Sequence, residues 1–181
     1  QITMDPVGLG VIDPEYINIM ITGHQQAMFN NLQENLEKES IQLSAKLVGA
    51  KGIRIVGCTC VGQDYQARSA HYKNIFSGHA GNNYTSEAVL LTGCIDLVLS
   101  EFNCTIPGIE PICKELDIPM ICLDDVAKKV DARLLPYTDE EKEIITGEII
   151  AAALVGYKNR KEKLTGEASA AGVSRENPMG C

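Results

Sequence analysis

Ile53-Arg54-Ile55-Val56-Gly57-Cys58-Thr59-Cys60-Val61-Gly62 is the stretch that decides the fold. Its first half is an apolar, β-branched run of strand length, the pattern of a strand buried on both faces. A cysteine-bearing turn follows, and then a short helix over about 61–70. The same strand–turn–helix unit recurs on both sides. Ile17–Thr22 is a strand that ends in Gly23-His24 and leads to a helix over 25–48, with a break near Glu39-Ser40 and an end at Gly49–Gly52. Ile95–Phe102 is a strand that leads to Cys104, and Pro107 suits the first turn of a helix reaching Leu116. Pro111 inside that helix kinks it or delays its start.

Farther along, Pro119–Leu123 reads as another strand and Ala132–Leu135 as an edge strand. Thr138 with Glu141 forms a capping box that opens a helix running to about Lys163. Residues 71–86 are the hardest to place, with a short strand around Asn74–Phe76 and a cap at Thr85 or Ser86 for a helix over Glu87–Leu91. Strands that alternate with helices across short turns predict an α/β fold: a three-layer, Rossmann-like, mostly parallel, doubly wound sheet of about five strands. Residues 1–163 form one domain, and 164–181 read as a flexible tail or linker.

The chain has 181 residues, 45% of them hydrophobic, no Trp and a formal charge of −8. That suits one domain with an aliphatic core. An acidic chain without a Lys/Arg stripe argues against nucleic acid as a partner. No apolar run is long enough to span a membrane. The start, Gln1-Ile2-Thr3-Met4, lacks a signal-peptide pattern, so a cytoplasmic location and reduced thiols are expected; without an initiator Met, the sequence reads as a fragment or a processed chain. Seven cysteines without a disulfide context are either small buried hydrophobes or metal ligands.

Three strand ends each deliver a borderline or soft metal ligand: His24, Cys60 and Cys104. In open α/β sheets, ligands bind beyond the carboxyl ends of the strands. Cys60 is the strongest candidate, because a thiolate at a strand-to-helix turn is stabilised by the helix N-terminus. Cys58 is a second candidate: residues i and i+2 of a strand share a face. Cys94, Cys113 and Cys122 read as core, and His71 and His79 as surface residues. Ligands on one centre should have donor atoms about 3.5 Å apart, or within about 8 Å if the site relaxes when empty. No phosphate-binding glycine loop, nucleophile elbow or Walker lysine is present.

Gly8–Pro14, Gly23-His24, Gly57-Cys58-Thr59-Cys60, Leu91-Thr92-Gly93 and Cys104-Thr105-Ile106-Pro107, taken in order, resemble the middle region of nickel–iron carbon monoxide dehydrogenases over about residues 8–160. The resemblance implies a Rossmann-like middle domain in a cytoplasmic, anaerobic, homodimeric oxidoreductase that interconverts CO and water with CO2, two protons and two electrons. It implies that His24, Cys60 and Cys104 match three ligands of a Ni-Fe-S cluster (nickel, iron and sulfide), alongside further 4Fe-4S-type clusters. In the family the histidine and the first cysteine hold the iron outside the cubane, and the other cysteine holds an iron within it. Implied partners are the remaining domains of the parent and either a ferredoxin-like electron carrier or an acetyl-CoA synthase.

This sequence departs from the family in having Cys-Thr-Cys where Cys-Cys is usual, and in a longer interval between Cys60 and Cys104. The three further cysteine ligands, the N-terminal cluster region and the acid–base lysine of the family are not in these residues, so the isolated chain is expected to be inactive. Two other readings stay open. One is a relative of the hybrid-cluster (hydroxylamine reductase) proteins, for which Asp64 and Glu101 are the nearest acidic residues. The other is a metal-free Rossmann-like binding or assembly module.

Overall fold

The computed structural model describes residues 6–24, 27–68, 75–126 and 128–171. Six strands form one sheet: β1 (Ile17–Thr22), β2 (Ile53–Cys58), β3 (Phe76–Gly81), β4 (Leu97–Ser100), β5 (Met120–Cys122) and β6 (Arg133–Leu134). Their order is β3-β2-β1-β4-β5-β6, and every pairing is parallel. This is the doubly wound order in which the chain winds outward from β1 in one direction and then, from β4, in the other. The expected Rossmann-like α/β architecture is the one observed, with six strands where about five were expected.

Alternate side chains of the strands feed two cores. Ile19, Ile55 and Leu97 point to a face covered by α1 (Ala27–Leu36), α2 (Glu39–Leu47), α3 (Thr59–Arg68) and α6 (Lys142–Ala171). Met20, Val56 and Val98 point to the other face, under α4 (Ser86–Leu91), α5 (Ile109–Leu116) and a 3-10 turn at Leu9–Val11. Burial on both faces explains why β1 and β2 read as continuous apolar runs.

Several boundaries differ from the sequence reading. β3 occupies residues read mostly as loop, because Gly78 and His79 are weak strand formers that pairing with β2 overrides. Gly78 has φ 142° there, a conformation open to glycine. Asn74 of the anticipated strand, His71 and the tail residues 172–181 lie outside the described residues. α6 continues past Lys163 to Ala171. α5 starts at Ile109, so Pro111 falls in the first turn, where its missing N–H leaves no helical bond unmade.

The amino-terminal edge of the sheet is locked by a buried ion pair. Arg160 of α6 donates from Nε to Asp96 Oδ1 at 2.7 Å and from Nη2 to Oδ2 at 3.2 Å. It also donates to the carbonyls of Pro14 and Tyr16, both at 3.1 Å. The Asn18 backbone N–H of β1 donates to the same Oδ2 at 2.8 Å. Burial raises the Asp96 carboxyl above its usual range, and the guanidinium offsets part of that rise. Both groups are almost fully inaccessible, so deleting one leaves the other desolvated and unpaired. Arg160→Met or Asp96→Asn is expected to cost about 3–5 kcal/mol, read as a lowered urea midpoint. Replacing both by apolar residues is expected to recover most of the loss. A single-substitution cost under about 1 kcal/mol, the range of an exposed pair, contradicts this role for the pair.

Candidate metal centre

At the opposite, carboxyl-terminal edge, β1, β2 and β4 lie side by side and end together. Each runs into a turn that carries one of the anticipated ligands. The donor atoms of His24, Cys60 and Cys104 all lie within 4.8 Å of one another, inside the limit set above for convergent ligands. Cys60 Sγ and Cys104 Sγ are 3.2 Å apart. His24 is exposed and both cysteines are half-buried, so the group opens to the surface.

The turns have unusual backbones. Thr59, between Cys58 and Cys60, has φ 56°, and Asn103 and Cys104 have φ 62° and 50°. A β-branched residue in the left-handed region is a genuine outlier, at a cost of about 1–3 kcal/mol. Surrounding contacts hold it there. The Gly23 N–H donates to Thr59 Oγ1 at 2.9 Å, and that hydroxyl lies 3.1 Å from the Gly23 carbonyl it can donate to. Thr22 Oγ1 is 3.2 Å from Thr59 Oγ1 and 3.4 Å from the Cys104 carbonyl. The Val61 N–H of α3 also donates to the Gly23 carbonyl, at 3.0 Å. Two glycines bring α3 down onto β2: a Cβ on Gly62 would sit 2.6 Å from the Gly57 backbone.

The left-handed Thr59 decides between the two neighbouring cysteines geometrically. It ends the pleat at Cys58, so Cys58 and Cys60 do not share a face. Cys58 is wholly buried in the second core with Met20 and Val56. Burial pushes its thiol up to about 12. Cys113 and Cys122 are buried in the same core, and Cys94 is likewise inaccessible. The Cys104 thiol is raised to about 11, by burial first, then by its hydrogen bond with Cys60 and the negative charge of Cys60 and Glu101. Two thiolates so close repel, and a bound cation is what allows both to ionise. Glu101 is buried with its carboxyl against Gly23, where any Cβ would meet Oε1 at 2.2 Å. Asp64 lies on α3, and neither acidic residue belongs to the three-donor group.

His79 is not the surface residue that its polar neighbourhood suggested. It lies on β3, its backbone paired with Val7 and Gly57, and both ring nitrogens are shielded from solvent without a hydrogen-bond partner. Burial lowers its pKa from the ordinary 6.5. The periodicity of 76–81 was too weak to reveal this, because glycines occupy every third position there.

Two outcomes are expected from this geometry. Alkylation of the reduced native chain should modify Cys60 and Cys104 and spare Cys58, Cys113 and Cys122 until the chain is unfolded, as mapped by peptide mass spectrometry; native labelling of Cys58 would contradict its place in the core. Below pH 6.5 the unfolded chain takes up a proton on His79 that the folded chain resists. Stability that is complete above that pH therefore falls as the pH drops toward the lowered folded-state pKa. The difference in melting temperature between His79→Leu and the parent sequence should change in the variant's favour between about pH 7 and pH 5; parallel pH profiles would refute it.

The fold has clear counterparts. Residues 1–173 match the Prismane/CO dehydrogenase family. A carbon monoxide dehydrogenase of Methanopyrus kandleri is 43% identical over 163 residues, which cover 90% of this chain and 25% of that protein. Carbon monoxide dehydrogenase IV from Carboxydothermus hydrogenoformans superposes with a TM-score of 0.76 at 25% identity, over 85% of this chain and 23% of that one. A solved acetyl-CoA synthase/carbon monoxide dehydrogenase with NiZn[Fe4S4] and NiNi[Fe4S4] clusters in its alpha subunits gives a TM-score of 0.77 at 25% identity, over 87% of this chain and 22% of the matched one. The chain spans about a quarter of the length of the relatives it matches. With a parallel sheet of the same architecture and a match over nearly its whole length, the chain belongs to the Prismane/CO dehydrogenase family.

Proposed function

We propose that the chain is the middle, Rossmann-like part of an anaerobic, cytoplasmic carbon monoxide dehydrogenase, and that His24, Cys60 and Cys104 supply three ligands of its Ni-Fe-S cluster. The observation that carries this reading is the convergence of one imidazole and two thiols within 4.8 Å at the ends of three adjacent strands. The donor set fits the group: thiolates and imidazole are ligands suited to iron–sulfur and nickel centres. The 43% identity to a carbon monoxide dehydrogenase points the same way.

When bound, the cluster supplies the redox chemistry by which CO and water become CO2, two protons and two electrons. The residues of this chain hold and orient it. Cys60 is fixed by the first turn of α3, Cys104 by the left-handed turn after β4, and His24 by the glycine turn after β1. Three ligands do not close a cluster, so the other domains of the parent complete the shell, with a homo-oligomeric parent passing electrons to a ferredoxin-like carrier or an acetyl-CoA synthase. No helix among the described residues is long and apolar enough to cross a membrane.

The test is metal analysis of the longer enzyme that contains this segment, purified without oxygen. Nickel and iron are expected in the parent sequence, with loss of both nickel and CO-dependent viologen reduction in Cys60→Ala and Cys104→Ala. The isolated chain is expected to show no CO-dependent viologen reduction. Iron without nickel would favour the hybrid-cluster relatives, and an enzyme free of metal would favour a binding module; either overturns the proposal.

A further inference from the structure

The Thr59 hydroxyl joins two of the three ligand turns directly and reaches the third through Thr22. It accepts from the Gly23 N–H at 2.9 Å and faces the Gly23 carbonyl at 3.1 Å, one residue before His24. Its partner Thr22 Oγ1, at 3.2 Å, reaches the carbonyl of Cys104 at 3.4 Å. Thr59 itself immediately precedes Cys60. The residue is 1% exposed, so no water competes for these bonds. It also holds φ 56°, which glycine adopts freely and a β-branched residue does not. A turn that needed only its backbone shape is served better by glycine; what glycine cannot supply is the hydroxyl.

We propose that Thr59 is a positioning residue whose hydroxyl sets the separation of Cys60, Cys104 and His24, and that it tunes metal capture without touching the metal. The inference rests on the metal-centre reading above, but its first consequence is independent of metal: the spacing of the two thiols.

The test compares Thr59→Val, Thr59→Ser and Thr59→Gly in the reduced chain, with Cys60→Ser as the control for a lost thiol. Phenylarsine oxide reports the thiol pair, since its arsenic joins two adjacent thiols with loss of one water. Cobalt(II) reports the three-donor site through its thiolate charge-transfer absorption. Valine and glycine, both lacking the hydroxyl, are expected to weaken arsenical and cobalt capture by about 10- to 100-fold, the range found when groups that orient metal ligands are removed. Serine keeps the hydroxyl and is expected to stay within about threefold of the parent sequence. Thr59→Gly relieves the left-handed backbone while leaving the Gly23 N–H without its hydroxyl partner, two opposing effects, so it is expected to stay folded with a melting temperature close to the parent's. That separates a role in positioning from one in folding, and it keeps the test decisive if the valine variant fails to fold. Unchanged arsenical capture in Thr59→Gly overturns the proposal, whatever happens to cobalt. Arsenical capture lost in valine and glycine while no variant, nor the parent sequence, binds cobalt upholds the positioning role and counts against the metal-centre reading instead.

Discussion

Parallel pairing of β1 with both β2 and β4 is the constraint on which the rest of the structure depends. Parallel strands all end at the same edge, so any turn that follows β1, β2 or β4 emerges beside the other two. His24, Cys60 and Cys104, 36 and 44 positions apart in sequence, therefore meet without any long loop to carry them. The winding reverses between β1 and β4, and in folds of this kind ligands enter at the carboxyl ends of the strands beside such a switch point.

The two edges of the sheet solve different physical problems. At the amino-terminal edge, Arg160, Asp96 and the Asn18 backbone N–H tie α6 to β1 and the start of β4 through hydrogen bonds taken out of water. Such a pair contributes less to net stability than its geometry suggests, because desolvation offsets the attraction, but it fixes one register of α6 on the sheet. At the carboxyl-terminal edge the polar groups are hydroxyls and backbone amides. They hold strained turns in place and leave the two thiols facing each other, with Glu101 nearby raising the cost of ionising Cys104. That edge brings an imidazole and two thiols together; the other is arranged around a carboxylate.

The contrast between Cys58 and Cys60 shows how local backbone decides chemistry. Both are cysteines at a strand end, two residues apart. One left-handed residue between them turns Cys58 into a core side chain that is inert at neutral pH and Cys60 into a half-buried thiol in the turn. The tight contact of Gly57 with Gly62 sets how closely α3 follows, and so how near Cys60 comes to the neighbouring turns.

Much of this was legible in the residues themselves. Apolar runs at Ile17–Thr22 and Ile53–Cys58, each followed by a turn and a helical stretch, determined the parallel α/β class, because such strands must be buried on both faces. The strand-end positions of His24, Cys60 and Cys104 were readable for the same reason. What only the tertiary structure decided were the features that depend on long-range neighbours: β3, formed by pairing rather than propensity; the shielded ring of His79; the choice of face for Cys58; and the hydrogen bonds that Thr59 makes to Gly23, a residue 36 positions away. A hydroxyl in a turn looks the same in sequence whether it meets water or a neighbouring turn, and a single backbone angle at Thr59, set by contacts across the sheet, carries no signature in the order of the residues.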